Sequence, residues 1–236
     1  GREPLQTPRS SIALKDAILP WIKFENTEFT RVLEWLKAQT ITETKGVFKN
    51  LKARVGGIDF IFGLGGIHGS VEAQIIESDD MNIIIDIDVE SYYPSTAIAQ
   101  RFKPEHYPDV FCDIYASLKE ERKKYGKGTA ENAMLKLALN GVYGDSNNQF
   151  SVFYDPLMTM QITLNGQLLL CYLVEKLLEH VQGAQIIQAN TDGITVKIPR
   201  GEQDVFNDVV EGWERVTKLK MEHTEYSRMF IRDVNN

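Results

Sequence analysis

The chain has 236 residues, of which 43% are hydrophobic and 25% are charged, and its formal net charge is −7. This length and composition are typical of a globular protein with one large domain or two small ones. The negative charge excludes a general nucleic-acid-binding surface, because phosphate contacts need lysine and arginine over a broad area. Any contact with nucleic acid must therefore be made by a local basic patch.

The longest apolar run, LLLCYLV at residues 168–174, is far shorter than the roughly 20 residues of a membrane span. No signal-peptide pattern opens the chain. The two cysteines, Cys112 and Cys171, have neither a metal-type spacing nor a plausible disulfide framework, and they are most simply small buried hydrophobic residues. We therefore expect an intracellular protein of a reducing compartment, in the cytoplasm of a host cell, that is not secreted and has no membrane partner.

Residues 1–60 are predicted to form a helical and linker segment that leads into the main domain. The stretch NTEFTRVLEWLKAQ predicts an amphipathic helix with Asn26 or Thr27 as its cap. A strand-like run at 58–62 is followed by the glycine-rich turn FGLGGIHG. A hairpin or bulge is the commoner explanation of such a turn, and close approach of the backbone to a phosphate is the alternative. His68 in this turn is more typical of a structural residue than of a catalytic one.

The next segment, MNIIIDIDVESYYPS, predicts a strand that ends on carboxylates. Ile83, Ile85, Ile87 and Val89 share one face of this strand, and Ile84, Asp86 and Asp88 share the other. A carboxylate at the end of a core strand costs free energy unless it is paired, hydrogen-bonded or bound to a metal.

Two helices are predicted at about 108–125 and 129–143, separated by the break YGKG. On the second helix Lys136, Asn140 and Tyr143 fall at i, i+4 and i+7 and so share one face. A solvent-exposed stripe is the simpler interpretation, and a row of donors that faces an anionic ligand is the functional one. The basic stretch KEERKKYGKG at 119–128 is likewise either a solvated helix face or the local patch.

The rest of the chain alternates helices with an antiparallel hairpin. We predict an amphipathic helix at 168–181, strands at 184–189 and 194–198 joined by the turn NTDG, and a helix at about 203–218. Together these elements predict an α+β fold. Asp192 in the turn most simply serves turn chemistry. The alternative is that Asp192 and Asp88 converge and share two magnesium ions about 4 Å apart.

Taken together, DVESYYPS, KLALNGVYG and NTDG resemble motifs A, B and C of the family B DNA polymerases, and GGIHG is similar to the Gly-Gly motif upstream of motif A. The resemblance covers Gly65 to Pro199. It implies an antiparallel palm sheet with packed helices and a short helical fingers subdomain, as in compact viral or plasmid polymerases. Palm would occupy 61–100 and 146–225, fingers 101–145, and the start of the palm–thumb junction 226–236. We find no exonuclease signature and expect a palm and fingers fragment.

The resemblance also implies roles for individual residues. Asp88, Asp192 and the Val89 carbonyl would bind two Mg²⁺ ions, for which Mn²⁺ can substitute, with both aspartates catalytic. The expected nucleotide-binding residues are Ser91 and Tyr92 through their amides, Tyr93 as the residue that excludes a 2′-hydroxyl, Lys136 on the phosphates, and Asn140 and Tyr143 at the nascent base pair. Further phosphate or DNA contacts would come from one of Arg122, Lys123 and Lys124, and from Gly65 and Gly66.

The implied function is DNA-directed DNA synthesis from a deoxynucleoside triphosphate on primer-template DNA, in replication, with other replication proteins as further partners. Three positions depart from the family pattern: Asn190 stands for the usual first aspartate of motif C, and Gly141 and Gly193 stand for serines. Two alternatives stay open. One is another palm polymerase, such as a reverse transcriptase, and the other is a catalytically silent module that binds DNA or a replication protein.

Overall fold

The computed structural model describes residues 5–232. Its six α-helices are α1 (Thr27–Lys37), α2 (Tyr92–Gln100), α3 (Val110–Arg122), α4 (Ala130–Ser146), α5 (Pro156–His180) and α6 (Gln203–Thr217). Its eleven strands are β1 (Ile12–Ala13), β2 (Thr40–Ile41), β3 (Lys52–Val55), β4 (Ile58–Ile61), β5 (Gly69–Ser70), β6 (Gln74–Glu77), β7 (Asn82–Val89), β8 (Gln185–Asn190), β9 (Gly193–Pro199), β10 (Met221–Tyr226) and β11 (Arg228–Ile231). Short 3₁₀ turns lie at Leu14–Asp16 and Arg200–Glu202.

Five strands form the central sheet in the order β10, β7, β9, β8, β5, and all neighbouring strands are antiparallel. Three two-stranded ladders, β1–β2, β3–β4 and β6–β11, lie beside this sheet. The predicted α+β fold with an antiparallel sheet and packed helices is therefore confirmed. Strand β7 is interior to the sheet, so its end is flanked on both sides by other strands.

The two faces of β7 are buried in different ways, as its alternating sequence predicts. Ile83, Ile85, Ile87 and Val89 belong to the main hydrophobic core, which also contains most of α5. On the opposite face Ile84 belongs to a small second cluster with Ile76, Ile187 and Ile231. Asp86 and Asp88 continue that second face towards the end of the strand and are half-buried.

Helix α5 differs most from the sequence-based prediction. It begins at Pro156, twelve residues before the predicted start at 168, and it is buried on nearly all sides rather than amphipathic. Polar side chains in its first half make this part of the sequence look solvent-exposed. In the structure these side chains are buried and hydrogen-bond to neighbouring loops. Asn165 accepts from the Leu19 amide and donates to the Ala17 carbonyl, and Gln167 accepts from the Gly63 amide.

The length and composition of α5 alone would allow a membrane span, and among the described residues it is the one helix of which this is true. However, 83% of this apolar stretch is buried inside the fold. A buried core helix can be as long and as apolar as a helix that spans a membrane. Both cysteines are free and buried. The length of α5 is thus accounted for by its place in the core.

The N-terminal segment is part of the same core. The predicted α1 helix is present with Asn26 as its cap, and the Asn26 side chain accepts from the amides of Glu28 and Phe29. Strands β1, β2 and β3 were not predicted. Buried residues of this segment, from Ile12 to Phe60, join the hydrophobic cluster that contains α5.

Helices α3 and α4 pack against each other and against α2. They begin and end within three residues of the predicted bounds, and α4 continues to Ser146. The Thr129 hydroxyl caps α4 by accepting from the Asn132 amide. The predicted break at YGKG is the turn that reverses the chain between the two helices.

Asp155 should contribute strongly to stability, because it is 1% exposed and caps α5 through the Leu157 amide. It also accepts from Arg9 Nε at 2.8 Å and from the Glu105 amide at 2.9 Å. We expect Asp155→Ala to lower the free energy of unfolding in urea by about 3 kcal/mol, since it removes a buried ion-pair partner and a cap together.

Asp59→Ala is the matched control, because Asp59 pairs with Arg54 at the surface, where each side chain is more than a third exposed. Its effect should stay within about 0.5 kcal/mol. Equal losses in the two variants would contradict the importance of the Asp155 network.

Candidate active site

The end of β7 and the β8–β9 turn bring two carboxylates to one edge of the sheet. Asp88 lies opposite Gly193 in the ladder of β7 and β9, and the Val89 amide donates to the Asp192 carbonyl at 2.9 Å. Gly193 makes this approach possible. A Cβ built at that position would lie 2.2 Å from the Ile87 carbonyl oxygen and 2.7 Å from the Asp88 Cβ. The serine that the family pattern has at this position would not fit here without a backbone shift.

A third carboxylate reaches the same place from the other side of β7. Glu222 on β10 lies opposite Asp88 in the ladder and lines the same cleft as Asp88 and Asp192. The sequence analysis did not identify Glu222. Its local sequence, KMEHTE, has no distinguishing pattern, and only the strand register brings it beside Asp88.

The surroundings of the strand end raise the pKa values of Asp88 and Asp86. Burial raises the pKa of Asp88 to about 6, and the nearby charges of Asp192, Asp86 and Glu222 act in the same direction, while Lys127 opposes them. Burial also raises the pKa of Asp86, although the Thr195 hydroxyl that donates to it at 2.6 Å partly offsets this effect. The strand end therefore has an excess of negative charge, which favours a bound cation.

The donor atoms are of the type that a hard divalent cation prefers, namely carboxylate and carbonyl oxygens. Within residues 5–232 no group of three or more histidine, cysteine, aspartate or glutamate side chains is arranged to hold a metal ion. Asp88 and Asp192 would therefore supply part of a coordination shell. Backbone carbonyls, water or ligand phosphates would have to complete it. The residues present fit Mg²⁺ or Mn²⁺ under that condition.

The turn after β7 has an unusual backbone. Ser91 adopts the left-handed conformation, with φ 50° and ψ 57°, and it precedes the first turn of α2 without capping it through its side chain. Its hydroxyl instead accepts from Arg122 Nη1 at 2.6 Å. Ser91 consequently provides no side-chain cap for α2. The amides of Tyr92 and Tyr93 are suited to an anion, whereas Pro94 has no N–H and the Ser95 amide donates to the Ser91 carbonyl. Strained non-glycine residues of this kind occur often at functional sites.

The two tyrosines that follow are held by α5. Tyr92 is 3% exposed and donates to the Gly166 carbonyl, so its side chain is part of the core. The Tyr93 hydroxyl lies 3.2 Å from the Thr163 hydroxyl, and its ring meets Tyr143 edge-on with centroids 4.8 Å apart. A Cβ at Gly166 would lie 2.8 Å from the Tyr93 ring, so this glycine makes room for it. Burial raises the pKa of both phenols, which keeps them neutral.

Of the three basic candidates at the C-terminal end of α3, Arg122 lines the cleft and Lys123 and Lys124 do not. It is 8% exposed, its Nε donates to Asn132 at 3.2 Å, and its Nη2 lies 3.6 Å from Glu90. Lys123 and Lys124 are exposed and pair with Glu120 and Glu121 along the helix. The fold thus brings Arg122 to the cleft, while Lys123 and Lys124 are on the solvated face that the alternative interpretation described. Contact of Arg122 with phosphate or DNA stays a prediction.

The predicted face of α4 also borders the cleft. Lys136 and Asn140 are exposed to it, and Tyr143 is half-buried beside Tyr93. Lys127, from the turn before α4, lines the cleft as well, and the sequence analysis had not singled it out from its basic segment. The face is therefore directed at an open cavity and not at bulk solvent alone.

The glycine-rich turn is joined to the hairpin turn. Gly66 has φ 130°, and a Cβ there would lie 2.5 Å from the Thr191 side chain. The Thr191 hydroxyl donates to the Gly65 carbonyl at 3.3 Å and lies 3.4 Å from His68 Nε2. Gly65 and Gly66 thus help to hold the Asp192 turn in place, whereas His68 lines the cleft. Contact of the two glycines with DNA stays a prediction.

One cleft of about 820 Å³ collects these side chains. The predicted residues along it are Asp88, Val89, Ser91, Tyr92, Tyr93, Arg122, Lys136, Asn140, Tyr143 and Asp192, and Asn190 borders it too. No protein-family model matches the chain, and no curated protein sequence matches it. Function must therefore be argued from the chemistry of this cleft.

The crowding of carboxylates generates a pH-dependent prediction. The folded state holds the Asp88 proton more tightly than an unfolded chain, whose aspartate has a pKa of 3.8. The stability that Asp88 gains by holding this proton is therefore fully present below about pH 4, and it is lost as the pH rises through about 6. We expect the stability of Asp88→Asn relative to the parent chain to increase from pH 4 to pH 7, measured by urea unfolding with a chelator.

Asp208→Asn, at an exposed position on α6, should show no such trend. Added Mg²⁺ should raise the melting temperature of the parent chain more than that of Asp88→Asn, because the ion relieves the repulsion. An equal response of both to Mg²⁺ would contradict a cation site at Asp88.

Proposed function

We propose that the chain is a DNA-directed DNA polymerase unit that adds deoxynucleotides to a primer 3′-hydroxyl, similar to the palm and fingers of family B DNA polymerases. One observation carries the proposal. The three segments that resemble motifs A, B and C are far apart in the sequence, yet they line one cleft. Such convergence is expected of a catalytic site and not of three chance matches.

The carboxylate end of the cleft has the composition that phosphoryl transfer requires. Asp88, Asp192 and the Val89 carbonyl would hold two Mg²⁺ ions, with the phosphate oxygens of the nucleotide completing the shells. When bound, such ions lower the pKa of an attacking hydroxyl and stabilise the leaving oxygens. The protein's own part is to fix the two carboxylates through the backbone contacts of Val89 and Gly193.

The basic side of the cleft is suited to a triphosphate. Arg122 and Lys136 line the same cavity as the uncapped N-terminus of α2. A guanidinium, an ammonium and helix amides are three kinds of phosphate donor, and together they would orient the phosphates towards the carboxylates. Within the segment 119–128, Arg122 and Lys127 would thus form the local basic patch of an otherwise acidic protein.

The aromatic floor of the cleft is suited to the sugar and the base. Tyr93 and Tyr143 meet edge-on, and the Tyr143 hydroxyl donates to the Leu64 carbonyl at 2.8 Å. Rings held in this way cannot move aside easily. We infer that Tyr93 lies under the deoxyribose and that Asn140 and Tyr143 border the nascent base pair.

A silent DNA-binding module is the second candidate, and Asn190 is the observation that favours it. This residue borders the cleft, where the family pattern has a carboxylate, so the site has one negative charge fewer. A reverse transcriptase would use the same cleft with an RNA template. Primer extension on DNA and RNA templates, with Mg²⁺ or Mn²⁺, separates these functions from the proposed one.

In that assay Asp88→Asn and Asp192→Asn should each lower deoxynucleotide incorporation by about a thousandfold or more, because each removes half of the carboxylate charge that would hold the ions. Asn190→Asp should keep activity, since two carboxylates suffice. Asp80→Asn, in the exposed turn before β7, is the control and should be fully active. Inactivity of the parent chain that Asn190→Asp reverses would favour the silent module.

Tyr93 should discriminate against ribonucleotides, because its ring occupies space beside the sugar site. We expect Tyr93→Ala to lower the preference for deoxynucleotides by about tenfold or more, measured as the ratio of kcat/KM values for the two sugars. Tyr93→Phe keeps the ring and loses only the contact with Thr163, so it should keep the preference. An unchanged ratio in active Tyr93→Ala would remove this role from Tyr93.

A further inference from the structure

Helix α6 has an apolar stripe beside the face that it buries in the core. Residues spaced alternately by four and three positions form this valine stripe: Val205, Val209, Gly212 and Val216. That spacing places them on one side of the helix, as at the a and d positions of a coiled coil. Val205 and Val216 are 37% and 47% exposed. The stripe borders a groove of about 480 Å³ between α5 and α6, so its apolar surface is open to a partner.

Gly212 interrupts the valine stripe without a reason inside the fold. It lies in the interior of α6 and its φ is not positive, so the helix there would accept a residue of higher helix propensity. Among the described residues, a Cβ at Gly212 would meet only the flexible end of Arg215, at 3.7 Å. Glycine destabilises a helix interior because it loses more backbone entropy than alanine. Its presence is explained if another helix approaches α6 closely at this point.

Two opposite charges lie along one edge of the valine stripe. Asp208 and Arg215 are exposed and seven residues apart, which is close to two full helical turns, so they share a side of α6. Among residues 5–232, the ion pairs of α5 and α6 are Lys176–Glu179, His180–Glu179 and Lys220–Glu214, and they leave both of these charges out. An acid and a base along one edge match the same edge of a second α6 that runs in the opposite direction.

We propose that α6 is a dimer interface, at which two copies of this chain pack their valine stripes together with the helices antiparallel. A two-fold contact must be complementary to itself, because both copies present the same surface. The edge with Asp208 and Arg215 meets that condition, which favours a second copy over a helix of another protein. The proposal goes beyond the proposed function and does not depend on it.

The antiparallel register follows from the stripe. Val209 of each copy lies opposite Gly212 of the other, so that a side chain fills the space above a bare Cα. The two outer valines then face each other as well. In this register Asp208 of each copy lies within about 3 Å of Arg215 of the other along the helix axis, which an arginine side chain can span. The contact therefore combines a close apolar seam with two ion pairs.

The expected dimer is weak. The stripe extends over about three helical turns, and contacts of less than about 1,200 Å² are typical of transient complexes. We therefore expect a dissociation constant on the order of 10 μM, which sedimentation equilibrium over about 1–300 μM should resolve. The residues that line the groove differ from those that line the cleft, so the dimer would leave the cleft accessible.

An exchange of charges tests the pairing. Asp208→Arg and Arg215→Asp should each weaken self-association about tenfold or more, because each variant creates two like-charge contacts. A one-to-one mixture of the two variants should form a heterodimer with the parent affinity, since each contact then joins opposite charges. The chain that carries both substitutions should also associate like the parent. Such recovery would show that the single variants are folded.

Gly212→Leu tests the close approach of the helices. Its side chain has open space in the monomer, so the melting temperature should not fall. Association should nevertheless weaken about tenfold or more, because the added side chain holds the two helices apart. Glu34→Arg is the matched charge control, since Glu34 is exposed on α1 and its change in charge equals that of Asp208→Arg. This control should associate like the parent chain.

Three outcomes would overturn the dimer. The first is a parent chain that stays monomeric at the highest concentration. The second is association that neither Asp208→Arg nor Arg215→Asp weakens, and the third is weakened association that their mixture does not restore. Primer extension by the same variants reports on the proposed function separately, because the substituted positions on α6 lie outside the cleft lining.

Discussion

The carboxylate end of the cleft depends on how closely the β8–β9 turn approaches the end of β7. Backbone groups make that approach, through the Val89 amide and the bare Cα of Gly193. The carboxylates themselves oppose it, because the charges of Asp192, Asp86 and Glu222 all raise the pKa of Asp88. The hydrogen bonds of the sheet thus hold together carboxylates that would otherwise separate. Because these carboxylates repel one another, a bound cation would stabilise this end of the sheet.

Helix α5 supports the aromatic floor of the cleft through polar residues that a core helix would not need for packing. Thr163 donates to the Leu64 carbonyl, Gln167 binds the Gly63 amide, and Gly166 leaves space for Tyr93. The indole of Trp213 on α6 donates to the Leu169 carbonyl from below. Loops around the site are therefore fixed to a buried element, which reduces the ordering entropy that a bound ligand would cost.

The sequence predicted the elements whose patterns are local. The alternation in β7, the hairpin turn at NTDG, the cap of α1 and the extent of α4 depend on residues within a few positions of one another, and their bounds agree with the structure to within about three residues. The full length of α5 was not predicted, because Thr159, Thr163, Asn165 and Gln167 look solvent-exposed until their partners in other loops are known.

The residues of the candidate site were likewise predicted only where the pattern that identifies them is local. The cleft residues within the motif segments were predicted, since each lies at a fixed offset from the others. Glu222 and Asn132 were missed because strand register and helix packing bring them to the cleft. The choice among Arg122, Lys123 and Lys124 needed the rotation of α3 about its axis, which its contacts with α2 and α4 determine.

The Leu64 carbonyl accepts from both Tyr143 on α4 and Thr163 on α5. This shared acceptor holds the C-terminal half of α4 in place beside α5. Lys136 lies about 10 Å from Tyr143 along the axis of α4. Tyr143 is thus the point about which α4, together with the α3 packed on its first half, would turn if the pair moved. A rotation of about 20° around that point would carry the Lys136 backbone by about 4 Å, given the rise of the helix. Tyr93 meets Tyr143 at the fixed end of such a rotation, so the Lys136 end of the cleft would widen while the two rings stayed in contact.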